Sequence, residues 1–317
     1  MAMHFGLLFP GQGAQGVGMG LDFVHSSPAA RACFEEADAV LGLPLAKLCF
    51  EGPLEELTAT DIAQPAIYTC SLAAMAALEE QAGEKIQPVM AAGLSLGEYT
   101  ALAAAGVFSF ADGLRLVRLR GSAMQSASDA MPSGMTSVMA MERAPLEALC
   151  AEVAAESGSI CQVANLNSPG QLVVSGQLVA LDLLESRAKE AGAKRAIRLN
   201  VAGAFHSEVM RPASEKLAAA LEEIHFQPAV CPVWQNATAS ASTDATTLKR
   251  NLVAQLCAPV LWQESFAQMV ASKPDTLFLE LAPGRVLATL ARKISPEAQV
   301  ITLHEAAALA QIMETIR

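Results

Sequence analysis

The 317-residue sequence predicts an α/β fold in which one large domain is interrupted by a smaller one. Its composition, 52% apolar and 17% charged, is that of a compact chain with a substantial core. An apolar run at residues 89–93 leads through a glycine-flanked serine into a helix-forming run, a pattern typical of strand-to-helix turns in α/β sheets. Between residues 131 and 200 the predicted order becomes β-α-β-β-α-β, the split βαβ or ferredoxin-like unit.

The first element is a buried strand at residues 5–9, which a glycine-rich loop follows at residues 11–16. The glycines fit G-x-G-x-x-G, but no acidic residue follows on a second strand about 20 residues later, so dinucleotide binding is weakly indicated. Such a loop exposes backbone N–H groups. One of them, beside the serine at position 95, would complete an oxyanion hole.

After scaffold helices at 28–57 and 64–82, the pentapeptide Gly93-Leu94-Ser95-Leu96-Gly97 fits G-x-S-x-G. A side chain at either glycine would collide with the neighbouring strand or helix. Ser95 would then begin the helix that runs to Gly106, where unpaired N–H groups favour developing negative charge. The motif therefore favours a nucleophile, with a serine that only caps the helix as the alternative.

A helix predicted over 110–127 carries three arginines at different angles. At about 100° per residue, Arg120 lies about 60° from the centre of the apolar face, whereas Arg115 and Arg118 lie about 160° and 100° from it. An inward arginine needs an anionic partner. That partner is either an internal carboxylate in a structural ion pair or a substrate carboxylate held by the guanidinium.

The inserted unit is predicted from alternating short elements. Its strands are predicted at 135–141, 160–166, 171–175 and 193–199, its helices at 145–156 and 178–191, and a turn at 167–170. The economical division is a catalytic domain of residues 1–130 and 201–317 and an inserted domain of residues 131–200. The active cleft should lie between them.

The chain returns through a small-residue loop, 201–207, that contains His206. This position late in the chain matches the base of Ser…His hydrolase orders, and the small residues allow close backbone approach. An ordinary surface or cap histidine is the alternative. Nothing marks the other four histidines, which are His4, His25, His225 and His304. A strand at 230–234, a polar loop at 236–247, a helix through Gln255, a helix at 262–270 and a last central strand at 276–280 complete the chain.

The overall charge and the cysteines exclude several classes of protein. A net charge of −11 argues against nucleic-acid binding, and no apolar stretch approaches the ~20 residues of a membrane span. The first 13 residues lack the features of a signal peptide, so a cytoplasmic location is expected. Seven scattered cysteines without a C-x-x-C pair predict free thiols, with neither disulfides nor a metal site.

Six stretches in order resemble the malonyl-CoA:acyl carrier protein transacylases of bacterial type II fatty acid synthesis, and the resemblance covers essentially the whole chain. They are Phe9-Pro10-Gly11-Gln12-Gly13, residues 93–102, Arg118-Leu119-Arg120-Gly121, Asn167-Ser168-Pro169-Gly170-Gln171, Gly203-Ala204-Phe205-His206-Ser207, and residues 280–287. The resemblance implies an α/β-hydrolase-like domain with a ferredoxin-like insert.

The same resemblance implies the site residues. Ser95 would be the nucleophile and His206 its general base, and Gln12 and Leu96 would supply backbone N–H groups to the oxyanion. Arg120 would bind the malonyl carboxylate, and the backbone carbonyl of Gln255 would orient the histidine. The implied reaction is ping-pong transfer of malonyl from malonyl-CoA to the phosphopantetheine thiol of holo acyl carrier protein, without a cofactor and by a monomer.

Two positions depart from the family pattern, since Leu94 replaces a frequent histidine and Ala14 a frequent serine. Four basic residues are candidates for contacting an acidic carrier protein, or are ordinary solvated charges: Lys189, Lys194, Arg195 and Lys216. The alternative functions are a serine thioesterase or esterase and a non-catalytic acyl-carrier or coenzyme A-binding module. An acceptor in fatty acid synthesis is expected, and a polyketide acceptor fits the same motifs.

Overall fold

The computed structural model describes residues 5–316, so His4 lies outside the described residues. The described strands are β1 (Phe5–Phe9), β2 (Met90–Gly93), β3 (Ser133–Met139), β4 (Cys161–Ser168), β5 (Gln171–Gln177), β6 (Arg195–Arg198), β7 (Val233–Gln235), β8 (Ser240–Ser242), β9 (Leu277–Leu281) and β10 (Val300–Leu303). They form two separate sheets.

Fourteen α-helices connect the strands within the described range. They are α1 (Leu21–Ser26), α2 (Pro28–Leu41), α3 (Leu45–Glu51), α4 (Leu54–Thr58), α5 (Thr60–Ala82), α6 (Leu96–Ala104), α7 (Phe110–Ala130), α8 (Arg143–Ser157), α9 (Leu178–Ala188), α10 (Arg211–Glu222), α11 (Ala245–Gln255), α12 (Trp262–Ser272), α13 (Val286–Ile294) and α14 (Leu309–Ile316). None of the described helices is both long and apolar enough to cross a membrane.

The larger sheet has six strands in the order β10-β9-β1-β2-β7-β8. All neighbouring pairs are parallel except β7 and β8, which are antiparallel. Along β1, Leu7 and Phe9 enter one apolar cluster and Leu8 enters another, so both faces of the sheet are covered. Phe9 pairs with Gly93, which brings the loops after β1 and β2 to the same edge.

The smaller sheet is antiparallel, with the order β4-β5-β3-β6. Helices α8 and α9 pack on one face and share a core with residues such as Val138, Leu172 and Leu181. Met135 and Val173 belong instead to the core of the larger sheet. The smaller sheet therefore packs against the rest of the protein and contributes one wall of a cleft.

The predicted elements are present, with differences at the sheet edges and helix ends. Two strands were not predicted from the sequence: β8 lies inside the predicted polar loop, and β10 pairs outside β9, the predicted last central strand. Both are short edge strands without a strongly alternating pattern. Helix α5 begins at Thr60, four residues before the predicted start, and contains Pro65. The seven cysteines are free thiols.

Candidate active site

Ser95 lies at the sharp turn between β2 and α6, with φ 53° and ψ −100°. A Cβ atom on Gly93 would lie 1.9 Å from the carbonyl carbon of Gly97, and one on Gly97 would lie 2.1 Å from the carbonyl oxygen of Phe9. The collisions predicted from the motif are therefore present. Only glycine lets the turn approach both its own helix and β1 this closely, and the turn presents Ser95 at the edge of the sheet.

The loop after β1 packs against this turn. The Leu94 N–H donates to the carbonyl of Phe9 at 3.0 Å, and a Cβ on Gly11 would lie 2.4 Å from the Leu94 carbonyl oxygen. This contact brings Gln12 beside Ser95. Within residues 5–316, the backbone N–H groups of Gln12 and Leu96 have no intrachain acceptor, which leaves both able to bind an oxyanion.

His206 reaches Ser95 from the chain that follows the smaller sheet. Its Nε2 lies 2.8 Å from Ser95 Oγ, and its Nδ1 lies 2.8 Å from the carbonyl oxygen of Gln255. A carbonyl only accepts hydrogen bonds, so Nδ1 carries the proton and Nε2 accepts from the serine hydroxyl. Burial, followed by the charge of Arg120, lowers the pKa of His206 to about 4. The ring is therefore neutral at pH 7 and available as a base.

The backbone before His206 makes the close approach that its small residues predict. A Cβ on Gly203 would lie 2.1 Å from Ser128 Oγ on α7, so this loop lies directly against that helix. His206 itself has φ 57° and is 4% exposed. Close packing on α7 thus fixes the position from which the imidazole reaches Ser95.

Arg120 on α7 points inward, as its helical angle predicts, and is 1% exposed. Its Nη1 donates to Gln64 Oε1 at 2.9 Å, and its Nη2 donates to Gln255 Oε1 at 3.0 Å and to Ser95 Oγ at 3.1 Å. The guanidinium also lies 5.3 Å from the centre of the Tyr99 ring.

No carboxylate within the described range comes within 4.0 Å of the Arg120 guanidinium, whereas other arginines of the helix form ion pairs. Burial lowers the pKa of Arg120, but a guanidinium remains protonated at neutral pH. The Arg120 guanidinium is thus a buried cation beside Ser95 whose hydrogen-bond partners among the described residues are all neutral. Arg115 is exposed as predicted, but Arg118 is only one-third exposed because it pairs with Asp61 at 2.8 Å.

A cavity of about 760 Å³ opens over these groups. Gln12, Ser95 and His206 lie on one side, and Met135 and Val173 of the smaller sheet lie on another. The cavity is therefore the cleft between the two sheets in which the sequence analysis expected the active site. It is large enough for an extended acyl thioester.

Several buried polar residues of the site were missed by the sequence analysis. Asn236 accepts the Ser95 N–H at 2.6 Å and donates to the Gly93 carbonyl at 2.7 Å. Glu98 accepts the Asn236 N–H at 2.9 Å and Gln255 Nε2 at 2.8 Å. The available signal for Asn236 was its position directly after a strand of the sheet, where functional residues collect in α/β folds.

A serine hydroxyl bonded to a neutral histidine, two free N–H groups and a nearby cation form a site suited to acyl transfer through a serine. A family model described as "Acyl transferase domain" matches residues 7–309, nearly the whole chain. The fold, the site and this match define the protein as an acyltransferase.

Individual relatives narrow the class. The chain is 41% identical over 310 residues to the malonyl CoA-acyl carrier protein transacylase of Bacillus subtilis (strain 168), covering 98% of this chain and 96% of the relative. The crystal structure of an acyl carrier protein S-malonyltransferase from Vibrio cholerae has a TM-score of 0.92 at 38% identity, covering 97% and 99% of the two chains. The chain belongs to the malonyl-CoA:acyl carrier protein transacylase family.

One similar structure contains a partner. It is a malonyl-transacylase in complex with its type II PKS acyl-carrier protein, with a TM-score of 0.93 at 37% identity and coverage of 98% and 99% of the chains. The likeness therefore extends to a family member that was solved with a carrier protein bound.

Proposed function

We propose that this protein transfers the malonyl group of malonyl-CoA to the phosphopantetheine thiol of holo acyl carrier protein, through a malonyl-Ser95 intermediate. The observation that carries the proposal is the buried Arg120 cation, 3.1 Å from Ser95 Oγ and without a carboxylate partner in the described chain. An acyl group that ends in a carboxylate supplies the missing anion. The names of the relatives support malonyl as that group.

The proposed reaction proceeds in two half-reactions. Ser95 Oγ attacks the thioester carbonyl, His206 Nε2 takes the hydroxyl proton, and the N–H groups of Gln12 and Leu96 stabilise the oxyanion. Coenzyme A leaves as a thiol with the proton returned by His206. In the second half-reaction the carrier-protein thiol gives its proton to His206, attacks malonyl-Ser95 and regenerates the serine.

The Gln255 carbonyl has the orienting function that a carboxylate has in a hydrolase triad. A neutral carbonyl fixes the tautomer of His206 but adds no full negative charge to stabilise the imidazolium. This difference, together with Arg120, supports transfer over the thioesterase alternative. The retained bond between Ser95 and His206 counts against a module that only binds its ligand.

The remaining expectations from the sequence are part of the proposal. The larger sheet with residues 1–130 and 201–317 would form an α/β-hydrolase-like domain, and residues 131–200 a ferredoxin-like insert. Four exposed basic residues are proposed contacts for an acidic carrier protein: Lys189, Lys194, Arg195 and Lys216. The proposed reaction needs no cofactor, and the protein is proposed to act as a monomer in the cytoplasm, supplying fatty acid synthesis.

Intact-protein mass spectrometry tests this function directly. Malonyl-CoA should add one malonyl group, Ser95→Ala should abolish the adduct, and holo acyl carrier protein should discharge it. Acetyl-CoA in parallel should give little adduct. A malonyl adduct lost to water as fast as to the carrier protein would support a hydrolase, and no adduct at all would overturn acyl transfer.

A further inference from the structure

Glu98 is a fully buried carboxylate to which the reaction above gives no role. It lies in the first turn of α6, three residues after Ser95, and is 0% exposed. Its Oε2 accepts the Asn236 N–H at 2.9 Å and Gln255 Nε2 at 2.8 Å, and its Oε1 accepts Gln235 Nε2 at 3.4 Å. Among the described residues, no cation lies within 4.0 Å of it, so hydrogen-bond donors hold this carboxylate in place.

The first of these donors supports the nucleophile. Asn236 accepts the backbone N–H of Ser95 through Oδ1 and donates to the carbonyl of Gly93 through Nδ2. The asparagine side chain thus joins the two sides of the strained turn. Glu98 accepts the backbone N–H of Asn236, so it holds in place the residue whose side chain connects Gly93 and Ser95.

The second donor supports the histidine and the arginine together. Gln255 accepts His206 Nδ1 with its backbone carbonyl and Arg120 Nη2 with its side-chain oxygen. Its side-chain Nε2 donates to both Glu98 and the carbonyl of Ser95. The orientation of the Gln255 amide therefore fixes where the guanidinium is held, and Glu98 is one of the two acceptors that fix the amide.

An ionised carboxylate is the side chain that matches this environment, because it only accepts and all three neighbouring groups donate. Glutamine at position 98 would place an NH₂ group against one of these donors. Gln235 cannot reverse its amide without loss, because its Oε1 accepts Asn251 Nδ2 and its Nε2 also donates to the Leu248 carbonyl. Burial raises the pKa of Glu98 to about 7, against the opposing effect of the donors and of Arg120.

We propose that Glu98 is a positioning residue that fixes Ser95 through Asn236, and fixes both His206 and Arg120 through Gln255. By the second route it contributes to selection of acyl groups that carry a carboxylate, and this part rests on the proposed function. Glu98 itself touches neither the reacting atoms nor the cavity, so its effect is transmitted through those two amides.

The test compares Glu98→Gln with Glu280→Gln. Glu280 is an equally buried carboxylate that accepts two N–H groups, from Leu287 at 2.8 Å and Ala288 at 2.7 Å, but bonds to no group of the site. The rate at which an alkyl fluorophosphonate labels Ser95 reports the reactivity of the serine and histidine pair independently of any thioester substrate. Single-turnover acylation by malonyl-CoA and acetyl-CoA reports selectivity.

We expect Glu98→Gln to slow fluorophosphonate labelling about tenfold or more, since small misplacements of reacting groups have effects of that order. The ratio of malonyl to acetyl acylation rates should also fall. In an Arg120→Ala background the same substitution should leave that ratio unchanged, because its route to selectivity passes through the guanidinium. Glu280→Gln should leave labelling and the ratio within about twofold.

The proposal is overturned if Glu98→Gln behaves like Glu280→Gln in both the labelling and the acylation measurements. It is also overturned if Glu98→Gln lowers the malonyl-to-acetyl ratio as much in the Arg120→Ala background as in wild type. Should Glu98→Gln not fold, Asn236→Ala removes the side-chain bonds to Ser95 and Gly93 and leaves the bonds of Gln255 in place. That variant should label more slowly at an unchanged malonyl-to-acetyl ratio, and an altered ratio or unchanged labelling would contradict the two separate routes. If wild-type protein is labelled by the fluorophosphonate but is not acylated by malonyl-CoA, the proposed function is wrong. The labelling rates of the variants still decide whether Glu98 positions Ser95.

Discussion

Replacing Arg120 with alanine should remove the preference for malonyl without removing the reactivity of Ser95. The guanidinium donates to two glutamine oxygens and to Ser95 Oγ, and no carboxylate of the described chain lies within 4.0 Å of it. Leaving one member of a buried ion pair without its partner costs about 3–5 kcal/mol. In Arg120→Ala the malonyl carboxylate loses its partner but is reached by water from the open cleft, so the lower figure applies. About 3 kcal/mol corresponds to roughly a 10²-fold loss of rate.

The loss should be specific to malonyl. Acetyl has no carboxylate, so its acylation loses only the contact between Arg120 Nη2 and Ser95 Oγ, and that loss affects both thioesters equally. The ratio of kcat/KM for malonyl-CoA to that for acetyl-CoA should therefore fall about 10²-fold. Arg120→Lys, which keeps the charge but not the planar fork, should give an intermediate ratio.

Arg118→Ala is the matched control. It removes an arginine from the same helix, but one that is about one-third exposed and paired with Asp61. Single-turnover acylation, followed by intact mass, should give an unchanged ratio for this variant. If Arg120→Ala also keeps the wild-type ratio, the cation does not bind the acyl carboxylate and the reasoning fails.

Three further predictions follow from the geometry and the pKa shifts. Gly93→Ala should lower the free energy of unfolding by more than about 4 kcal/mol, because its Cβ would lie 1.9 Å from the carbonyl carbon of Gly97. The control Gly16→Ala has open space around its Cβ and should change the free energy of unfolding by about 0.5 kcal/mol or less, so equal effects in denaturation experiments would contradict the packing. Burial raises the pKa of Glu280 to about 7, so the stability of wild type relative to Glu280→Gln should decrease as pH rises from 4.5 to 7; a constant or increasing difference in Tm would refute this. With the pKa of His206 lowered to about 4, a Glu98→Gln variant, in which position 98 does not titrate, should keep at pH 5.5 more than about half of its acylation rate at pH 8, whereas a histidine with the ordinary pKa of about 6.5 would leave roughly one-tenth.

The sequence predicts the local parts of this site well. The turn at Ser95 could be inferred because the need for Gly93 and Gly97 comes from contacts within a few residues and with one neighbouring strand. The inward direction of Arg120 followed from helix geometry alone. What these predictions share is that a short stretch of chain, once its secondary structure is known, determines the result.

The connections between distant residues could not be predicted from such patterns. His206 is 111 residues from Ser95, and its assignment depended on resemblance to a family. The partners of Glu98 at positions 236 and 255 lie 138 and 157 residues away, and although Asn236 directly follows a strand, nothing in either local sequence points to Glu98. The edge strands β8 and β10 were missed for a related reason, since their pairing depends on neighbours already present in the sheet.

The amide of Gln255 has a consequence for how enzymes of this design could change over time. One residue contacts the base, the arginine and the carbonyl of the nucleophile, so a substitution there alters acyl preference and serine reactivity together. Variants with a new acyl preference should therefore arise more readily from changes at Arg120 or on the cavity wall than from changes at position 255. A laboratory selection for new acyl groups would do best to leave that glutamine fixed.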